Sequence, residues 1–308
     1  MVWFIYLYGH LMTKIEISTF RLFGGDYMSK VYNKKVVFCG NVIEIYEYST
    51  PILSDYINKI EKTEREKTED VKKENFIRSM KRTKRKIIQL VNTNFVPLKS
   101  SFLTLTFKEN VRDYDVAFDY WNRFKKKVEY HFNFKLTYLG VVEFQERGAI
   151  HFHICLFNVP VLSHDKLYKL WNDFSCNGRF GGVNIKSLKN CDNIGAYITY
   201  YMGKNFDDFY DNEFKCKKRY FKSRNLLEPS ESTFNTFDDF EDNLEFNHLF
   251  NSLKNNIVFE YETKEFTYKT DLIKTIDEFG EVKEELSEYT QSLKYKQIVL
   301  SQNYDFRK

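Results

Sequence analysis

The sequence predicts an α+β fold built on an antiparallel sheet, and three observations lead to this prediction. Short runs in which apolar and polar residues alternate indicate strands, because successive side chains of a strand point to opposite faces. Longer runs with apolar residues every three or four positions indicate amphipathic helices. The two kinds of run follow one another in the order strand, helix, strand, strand, helix, strand, helix. Such an order is typical of helices packed on one antiparallel sheet.

Composition narrows the class of protein. The chain has 308 residues, with 30 Phe and 22 Tyr, which is enough for one large or two modest domains with proper cores. Its net charge of +4 is mild, so any nucleic-acid partner must be inferred from clustered charges. The five cysteines form no C-x-x-C pair, which predicts no disulfide framework. No apolar run approaches the roughly 20 residues that span a bilayer. We therefore expect a cytoplasmic protein without a membrane partner.

The N-terminal segment differs in composition from the remainder of the chain. Residues 1–27 are rich in aromatic side chains, lack a clear period and end at Gly24-Gly-Asp-Tyr-Met28. A purine-rich ribosome-binding sequence before a start codon can encode this peptide. We therefore interpret Met28 as the start and 1–27 as an over-translated leader. Residues 28–99 are predicted to contain two short strands joined at Gly40-Asn41, followed by a charged helix over 54–91.

The second half of that helix carries a cluster of like charges. Six basic residues without an acidic one fall between positions 78 and 86: Arg78, Lys81, Arg82, Lys84, Arg85 and Lys86. Such a cluster favours contact with the phosphate backbone of DNA. The alternative is a solvated helix face, which is the usual place of a charged run. We refer to these six residues as the basic cluster.

Residues 100–229 are predicted to form a core domain. Its strands and helices follow one another at 102–107, 116–132, 135–144, 149–157, 162–174, 183–188 and 192–204. The helix at 116–132 has an apolar side with Ala117, Trp121, Phe124, Val128 and His131, and its other side is basic at Arg123, Lys125, Lys126 and Lys127. The order matches an RRM- or ferredoxin-like architecture with a central antiparallel sheet flanked by helices.

A candidate metal site lies in the strand at 149–157. Alternation places His151 and His153 on one face of this strand, and Gly148 supplies a turn residue that tolerates a positive φ. If the turn is centred near Arg147, Glu143 lies across from His151 on the same face. Two imidazoles and a carboxylate make a three-ligand site for a divalent metal. The alternatives are two half-buried histidines, or a zinc site that adds Cys155.

Candidate nucleophiles lie in the last predicted helix of the core. Ile194, Ile198 and Met202 form a stripe that can face the sheet. An adjoining stripe carries Tyr197, Tyr201 and Lys204, with Tyr200 at its far edge. Two tyrosine hydroxyls beside a lysine can act as nucleophiles towards a phosphate, because the cation favours tyrosinate. Tyrosines are also common in cores and interfaces, so this helix alone leaves both interpretations open.

Three segments in this order carry a resemblance to a known family. They are Phe102-Leu-Thr-Leu-Thr-Phe107, Glu143-Phe-Gln-Glu-Arg-Gly-Ala-Ile-His-Phe-His153 and Tyr197-Ile-Thr-Tyr-Tyr-Met-Gly-Lys204. Together they resemble the three motifs of rolling-circle replication initiators, the HUH endonucleases of small phages and plasmids. The basic cluster and Lys218-Arg-Tyr-Phe-Lys-Ser-Arg-Asn-Leu226 resemble the same proteins from Gram-positive bacteria and their phages. Tyr200 stands where relatives usually carry Lys, so Lys204 is the motif's only lysine.

The resemblance implies a metal-dependent endonuclease that nicks single-stranded or supercoiled origin DNA. Glu143, His151 and His153 would bind Mg²⁺ or Mn²⁺, and Tyr201 or Tyr197 would form a 5′-phosphotyrosyl intermediate beside Lys204. Because the sequence contains no P-loop motif, a host helicase and a host DNA polymerase would be partners. The alternatives are an HUH transposase or relaxase, and a non-catalytic module that binds single-stranded nucleic acid.

The C-terminal segment, 230–308, is expected to be an acidic linker followed by a tail. Its acidic residues are Asp238, Asp239, Glu241, Asp242 and Glu245. A short hairpin is expected over 256–270 and a helical tail over 271–293. Neither carries a chemical motif.

Overall fold

The computed structural model describes residues 31–53, 69–160, 162–175, 180–188, 194–195, 198–199, 220–236, 240–262, 266–270, 273–276, 282–285 and 289–301. The leader interpretation for 1–27 lies outside the described residues. The fold is α+β, as predicted. The chain forms two compact units, a central unit at Arg65–Pro229 and a terminal unit that joins Met1–Glu64 to Ser230–Lys308.

The central unit has the predicted order of strands and helices. Its described elements are α1 (Glu69–Asn94), β3 (Ser100–Phe107), α2 (Tyr114–Phe132), β4 (Thr137–Phe144), β5 (Ile150–Phe157), α3 (His164–Asn172), β6 (Gly181–Leu188) and β7 (Tyr220–Lys222). The five strands form one antiparallel sheet in the order β6-β3-β5-β4-β7. Without β7 this is the strand order of a ferredoxin-like βαββαβ domain, which confirms the predicted architecture.

Helix α2 shows why the local sequence folds as predicted. Its first turn is capped by Asp113, whose Oδ1 accepts hydrogen bonds from the backbone N–H groups of Asp115 and Val116 at 2.8 and 3.0 Å. The helix ends at Asn133, whose φ of 53° is left-handed. The predicted apolar side is buried except for His131, which is exposed in the last turn.

The two faces of the central sheet have separate cores. On one face, residues such as Leu105, Phe152 and Ile154 pack with Trp121 of α2 and Trp171 of α3. On the other face, a second apolar cluster combines sheet residues with residues of α1 and with helical residues at 194–195 and 198–199: Phe102, Leu139, Val141, Cys155, Phe157, Ile87, Leu90, Val91, Ile194 and Ile198. The sheet is therefore a central layer with helical residues on both sides. We call the second face the α1 face.

Helix α1 is held closely against the helical residues 194–195. The backbone N–H of Gly195 donates a hydrogen bond to Asn92 Oδ1 at 2.8 Å. A Cβ atom at Gly195 would lie 2.6 Å from the carbonyl oxygen of Ile88, so only glycine permits this approach. The predicted helix over 54–91 is observed from Glu69 onwards, and 54–68 lies outside the described residues.

The terminal unit is built on an antiparallel sheet. Its elements are β1 (Val31–Cys39), β2 (Val42–Leu53), β8 (Ser230–Phe234), α4 (Phe240–Leu253), β9 (Ile257–Glu262), β10 (Phe266–Thr270), β11 (Ile273–Ile276), β12 (Val282–Glu285) and β13 (Tyr289–Leu300). The strands at β1 and β2 and their turn at Gly40, where φ is 64°, are as predicted. Strand β13 pairs with β2, β9 and β10, while β11 and β12 pair with each other.

Three predictions for the C-terminal segment are wrong. The strands β9 and β10 both pair with β13 and not with each other, so they form no hairpin. The segment expected to be a helical tail contains β11 and β12, which pair with each other, and the beginning of β13, which pairs with β10 and β2, so strand pairing overrides weak local helix propensity. Part of the expected acidic linker is helix α4, in which Glu241 and Asp242 occupy the first turn, where the helix dipole favours acids. Among the described helices, none is long and apolar enough to cross a membrane.

Candidate metal centre

The β4–β5 hairpin determines which side chains meet at the candidate site. Gly148 has a φ of 81°, and its N–H donates to the carbonyl oxygen of Gln145 at 2.6 Å. The N–H of Gln145 then donates to the carbonyl oxygen of Ala149 at 2.9 Å. This turn produces the predicted register, in which Glu143 pairs with His151. All three predicted metal ligands therefore lie on one face of the sheet.

Glu143, His151 and His153 converge on that face. One potential ligand atom from each residue lies within 4.8 Å of the other two. The two imidazole rings have centroids 4.5 Å apart, and His153 Nε2 contacts Glu143 Oε2. His153 is buried, while Glu143 and His151 are partly exposed. The three potential ligands therefore lie close together at a position that is partly accessible to solvent.

His151 supplies a test of whether this cluster fits a metal ion. Its Nε2 atom is buried and has no hydrogen-bond partner among the described residues. Burial, with a smaller contribution from the neighbouring His153, lowers the pKa of His151 to about 4. At neutral pH the ring is uncharged, and uncharged imidazole is the form that binds metals. An unpartnered buried nitrogen beside a carboxylate and a second imidazole fits a divalent cation.

Strand β3 contributes a residue that sequence reasoning missed. Thr104 pairs with His153 in the β3–β5 register, and its Oγ1 lies 3.4 Å from His153 Nδ1. Phe102, two residues earlier, stacks on the His153 ring at a centroid distance of 5.5 Å. A partner at Nδ1 orients the imidazole and leaves Nε2 for Glu143 or a metal. The alternation in 102–107 already placed Thr104 and Phe102 on one face; the missing information was that β3 pairs with β5.

Cys155 does not belong to the cluster. It pairs with Phe102 on β3 and with Leu139 on β4, and its side chain lies in the apolar core of the α1 face. Burial raises the pKa of its thiol, which opposes the thiolate form that zinc requires. Within the part of the chain that the structure describes, Glu143, His151 and His153 are the group of acidic, histidine or cysteine side chains that could hold an ion. The geometry therefore gives no support to a His-x-His-x-Cys zinc site.

The basic cluster lies on helix α1, between Phe76 and Met80, which belong to the core of the opposite sheet face, and Ile87, Leu90 and Val91, which belong to the core of the α1 face. Lys81, Arg82 and Lys84 are exposed and make no ion pair with any described residue. Arg78 pairs with Glu74 at 3.3 Å at an exposed position. Lys86 lies 2.7 Å from Glu228, and hydrogen bonds from Lys222 and Lys86 lower the pKa of that carboxyl. Arg85 is also exposed. Lys81, Arg82 and Lys84 thus present positive charge that no described acidic residue neutralises.

The basic side of α2 has different surroundings. This helix packs on the sheet face opposite to the metal residues. Arg123 lies 3.6 Å from Asp119 and over the Phe174 ring, while Lys127 lies 2.5 Å from Asp173. These contacts give Arg123 and Lys127 structural partners. We therefore assign no role at the metal site to the basic residues of α2.

The predicted nucleophiles Tyr197 and Tyr201 and the predicted Lys204 lie outside the described residues, as do Tyr200 and Met202. Two other members of the same predicted helix are described. Ile194 and Ile198 have helical backbone and belong to the core of the α1 face, next to Phe102 and Val141. The predicted apolar stripe is therefore confirmed at these two positions, on the sheet face that carries the metal residues.

Comparison with known proteins adds an independent finding. Residues 100–206 match the family model of the replication-associated protein ORF2. This match begins at the first residue of β3 and includes all three members of the metal cluster. It supports a place in a replication initiator family. Neither curated proteins nor solved structures give a significant match to the chain.

Proposed function

We propose that this protein is a replication initiator that nicks single-stranded origin DNA through a 5′-phosphotyrosyl intermediate, and that this chemistry starts and ends rolling-circle replication. The observation that carries the proposal is the convergence of Glu143, His151 and His153 on one sheet face. The same residues lie in the segment that matches a family of replication-associated proteins. A metal-dependent nuclease needs such ligands with an open side for the scissile phosphate.

The three residues would hold a divalent ion, and the resemblance to replication initiators makes Mg²⁺ or Mn²⁺ the proposed one; the Glu143 carboxylate is the oxygen ligand that these ions prefer. When bound, the ion supplies Lewis-acid polarisation of the scissile phosphate. The chain's own residues orient the ligands. Thr104 faces Nδ1 of His153 and Phe102 stacks on its ring, so the imidazole edge that carries Nε2 turns towards Glu143.

Tyr201 is the proposed nucleophile. Its phenolic oxygen forms a bond to phosphorus, and the bond between phosphorus and the 3′ oxygen breaks. The tyrosine loses its proton, the freed 3′ oxygen gains one, and the resulting 3′-OH primes DNA synthesis. Lys204, one turn further along the predicted helix, favours tyrosinate and neutralises phosphate charge. Tyr197 is the proposed second nucleophile, which attacks the regenerated origin and ends the round.

The energy of the broken phosphodiester is kept in the tyrosyl ester, so rejoining needs no ATP. Unwinding and synthesis require other proteins, because the sequence has no P-loop motif. We therefore propose a host helicase and a host DNA polymerase as partners. The proposed DNA contacts are the phosphates of the single strand, bound by the basic cluster on α1.

A covalent-adduct assay tests the proposal. The full chain is incubated with Mn²⁺ and 3′-labelled single-stranded oligonucleotides that tile the DNA molecule carrying its gene. We expect one oligonucleotide to yield a labelled protein that survives denaturing electrophoresis, and EDTA or Tyr201→Phe should abolish it. Binding of every strand without an adduct would instead indicate a non-catalytic module. Cleavage at a transposon end or a transfer origin would indicate a transposase or relaxase.

A further inference from the structure

The side chain of Arg147, at the tip of the β4–β5 hairpin, is directed back to strand β3. Its Nη1 donates a hydrogen bond to the carbonyl oxygen of Lys108 at 2.8 Å, and its Nη2 donates to that of Phe107. Its Nε donates to Gln145 Oε1 at 3.1 Å. All three guanidinium nitrogens of Arg147 therefore donate hydrogen bonds within the protein, and two of these bonds hold the end of β3.

A second set of contacts closes the same junction. Arg112 Nη2 donates to the carbonyl oxygen of Arg147 at 2.7 Å. The N–H of Ile150 donates to the carbonyl oxygen of Val111 at 2.9 Å. The loop after β3 is thus joined to both sides of the hairpin turn. We call this set of hydrogen bonds the Arg147 clamp.

The clamp lies immediately beyond the metal residues. The β3–β5 ladder runs from the pair Ser101–Leu156 to the pair Thr106–His151, so His151 is the last residue of β5 that pairs with β3. The hairpin turn begins two residues after Glu143. Beyond the pair Glu143–His151, the β4–β5 ladder has one further pair, Phe144–Ile150, before the turn, so the clamp supplies additional hydrogen bonds between β3 and the hairpin at this end of the sheet. Strand ends fray when few hydrogen bonds hold them.

We propose that Arg147 is a positioning residue for the metal site, which holds β3, β4 and β5 together where Glu143 and His151 must meet. This inference rests on the proposed metal site. Arginine suits the task because its donors are fixed in a planar fork that can bind two carbonyl oxygens at once, whereas the three donors of a lysine ammonium rotate on a flexible stem. The rival explanation is that Arg147 supplies positive charge for DNA phosphates.

A measurement of Mn²⁺ binding in the absence of DNA distinguishes these two explanations. The measurement is the Kd for Mn²⁺ by calorimetry on the full chain, with circular dichroism and thermal unfolding as checks of the fold. Arg147→Gln should weaken Mn²⁺ binding about tenfold, the lower end of the effect of residues that orient metal ligands. Arg147→Lys keeps the charge but not the fork, so it should weaken binding to a similar extent.

Two control variants make the test specific. Lys108→Gln removes one exposed positive charge from the same junction but leaves the clamp, whose acceptor there is the backbone carbonyl. Loss of a nearby positive charge by itself favours a cation, so this variant should bind Mn²⁺ as well as the wild type or better. Asp113→Ala removes the cap of α2 and lowers stability without touching the clamp, and its Kd should stay within about twofold of the wild-type value.

The outcomes are distinct. Wild-type affinity in both Arg147 variants would overturn the inference. Equal weakening in Lys108→Gln or in Asp113→Ala would also overturn it, since charge or general stability would then explain the effect. Loss of the fold in both Arg147 variants would show a structural role and overturn it likewise. If the wild-type chain binds no Mn²⁺, the proposed metal site itself fails.

Discussion

Glu143 pairs with His151 across the β4–β5 hairpin, yet its carboxylate contacts the diagonal neighbour His153. The contact follows from sheet geometry, because a long side chain reaches diagonal neighbours about 7–8 Å away. Nε2 of His151 is buried and has no hydrogen-bond partner among the described residues. The two histidines therefore differ in what they contribute to stability, although both are proposed ligands.

Replacement of the two histidines should separate metal binding from stability. His151→Ala removes a buried polar atom that has no partner among the described residues, so the free energy of unfolding should change by less than about 0.5 kcal/mol. His153→Ala removes the contact with Glu143 and the stack on Phe102, and should cost about 1–3 kcal/mol. Both variants should lose Mn²⁺ binding and DNA cleavage. Thermal unfolding and calorimetry check the prediction, and cleavage that resists EDTA would contradict it.

Thr104 should affect metal affinity through His153. Thr104→Val keeps the shape of the side chain but removes the oxygen that faces Nδ1, so Mn²⁺ affinity should fall about tenfold. Thr104→Ser keeps the oxygen and should bind nearly as tightly as the wild type. Thr106→Val is the control, because the Thr106 hydroxyl accepts a hydrogen bond from Gly182 on β6 at 2.9 Å and not from a histidine. Equal loss in both valine variants would refute the assigned role.

The basic cluster should dominate the salt dependence of DNA binding. Simultaneous replacement of Lys81, Arg82 and Lys84 by Gln should weaken binding of a single-stranded oligonucleotide. It should also lower the slope of log K against log salt by about 0.7 for each lost phosphate contact. Fluorescence anisotropy over a series of salt concentrations measures both quantities.

A control variant with three substitutions on the other sheet face changes the net charge by the same amount. Arg123, Lys126 and Lys127 lie on α2, away from the metal residues, and their replacement by Gln should leave the slope unchanged. If the two triple variants lower the slope equally, the effect is one of total charge and α1 has no special part in binding.

The proposed tyrosines should have different tasks. Tyr201→Phe removes only the hydroxyl and should lose most nicking of the first strand. Tyr197→Phe should nick but fail in termination, since Tyr200 occupies the place of its usual lysine neighbour. Tyr200→Phe should be nearly silent. Mass mapping of the DNA-linked peptide identifies the attachment directly, and an adduct on Tyr197 alone would reverse the proposed order.

The local sequence pattern was sufficient to predict those features of the structure that depend on residues close together in the sequence. Alternation over 149–157 and a single glycine at 148 determine which side chains share a face of the hairpin, because a slip of one residue would reverse every side chain. Glu143, His151 and His153 could therefore be predicted as a cluster. The helices α2 and α3 likewise follow from apolar spacing, which acts within one or two turns.

Tertiary structure decided whatever depends on strands that are distant in sequence. The pairing of β3 with β5 brings Thr104 to His153 across 49 positions, and the pairing of β13 with β2 joins the two ends of the chain. No local pattern identifies either partner, so Thr104 and the Arg147 clamp were missed and the beginning of β13 was predicted as part of a helical tail. The same holds for the sheet face on which a basic helix packs. Amphipathicity determines that a helix packs, while the complete arrangement of strands and loops determines that the part of α1 with Ile87, Leu90 and Val91 packs on the metal face and that α2 packs on the opposite one.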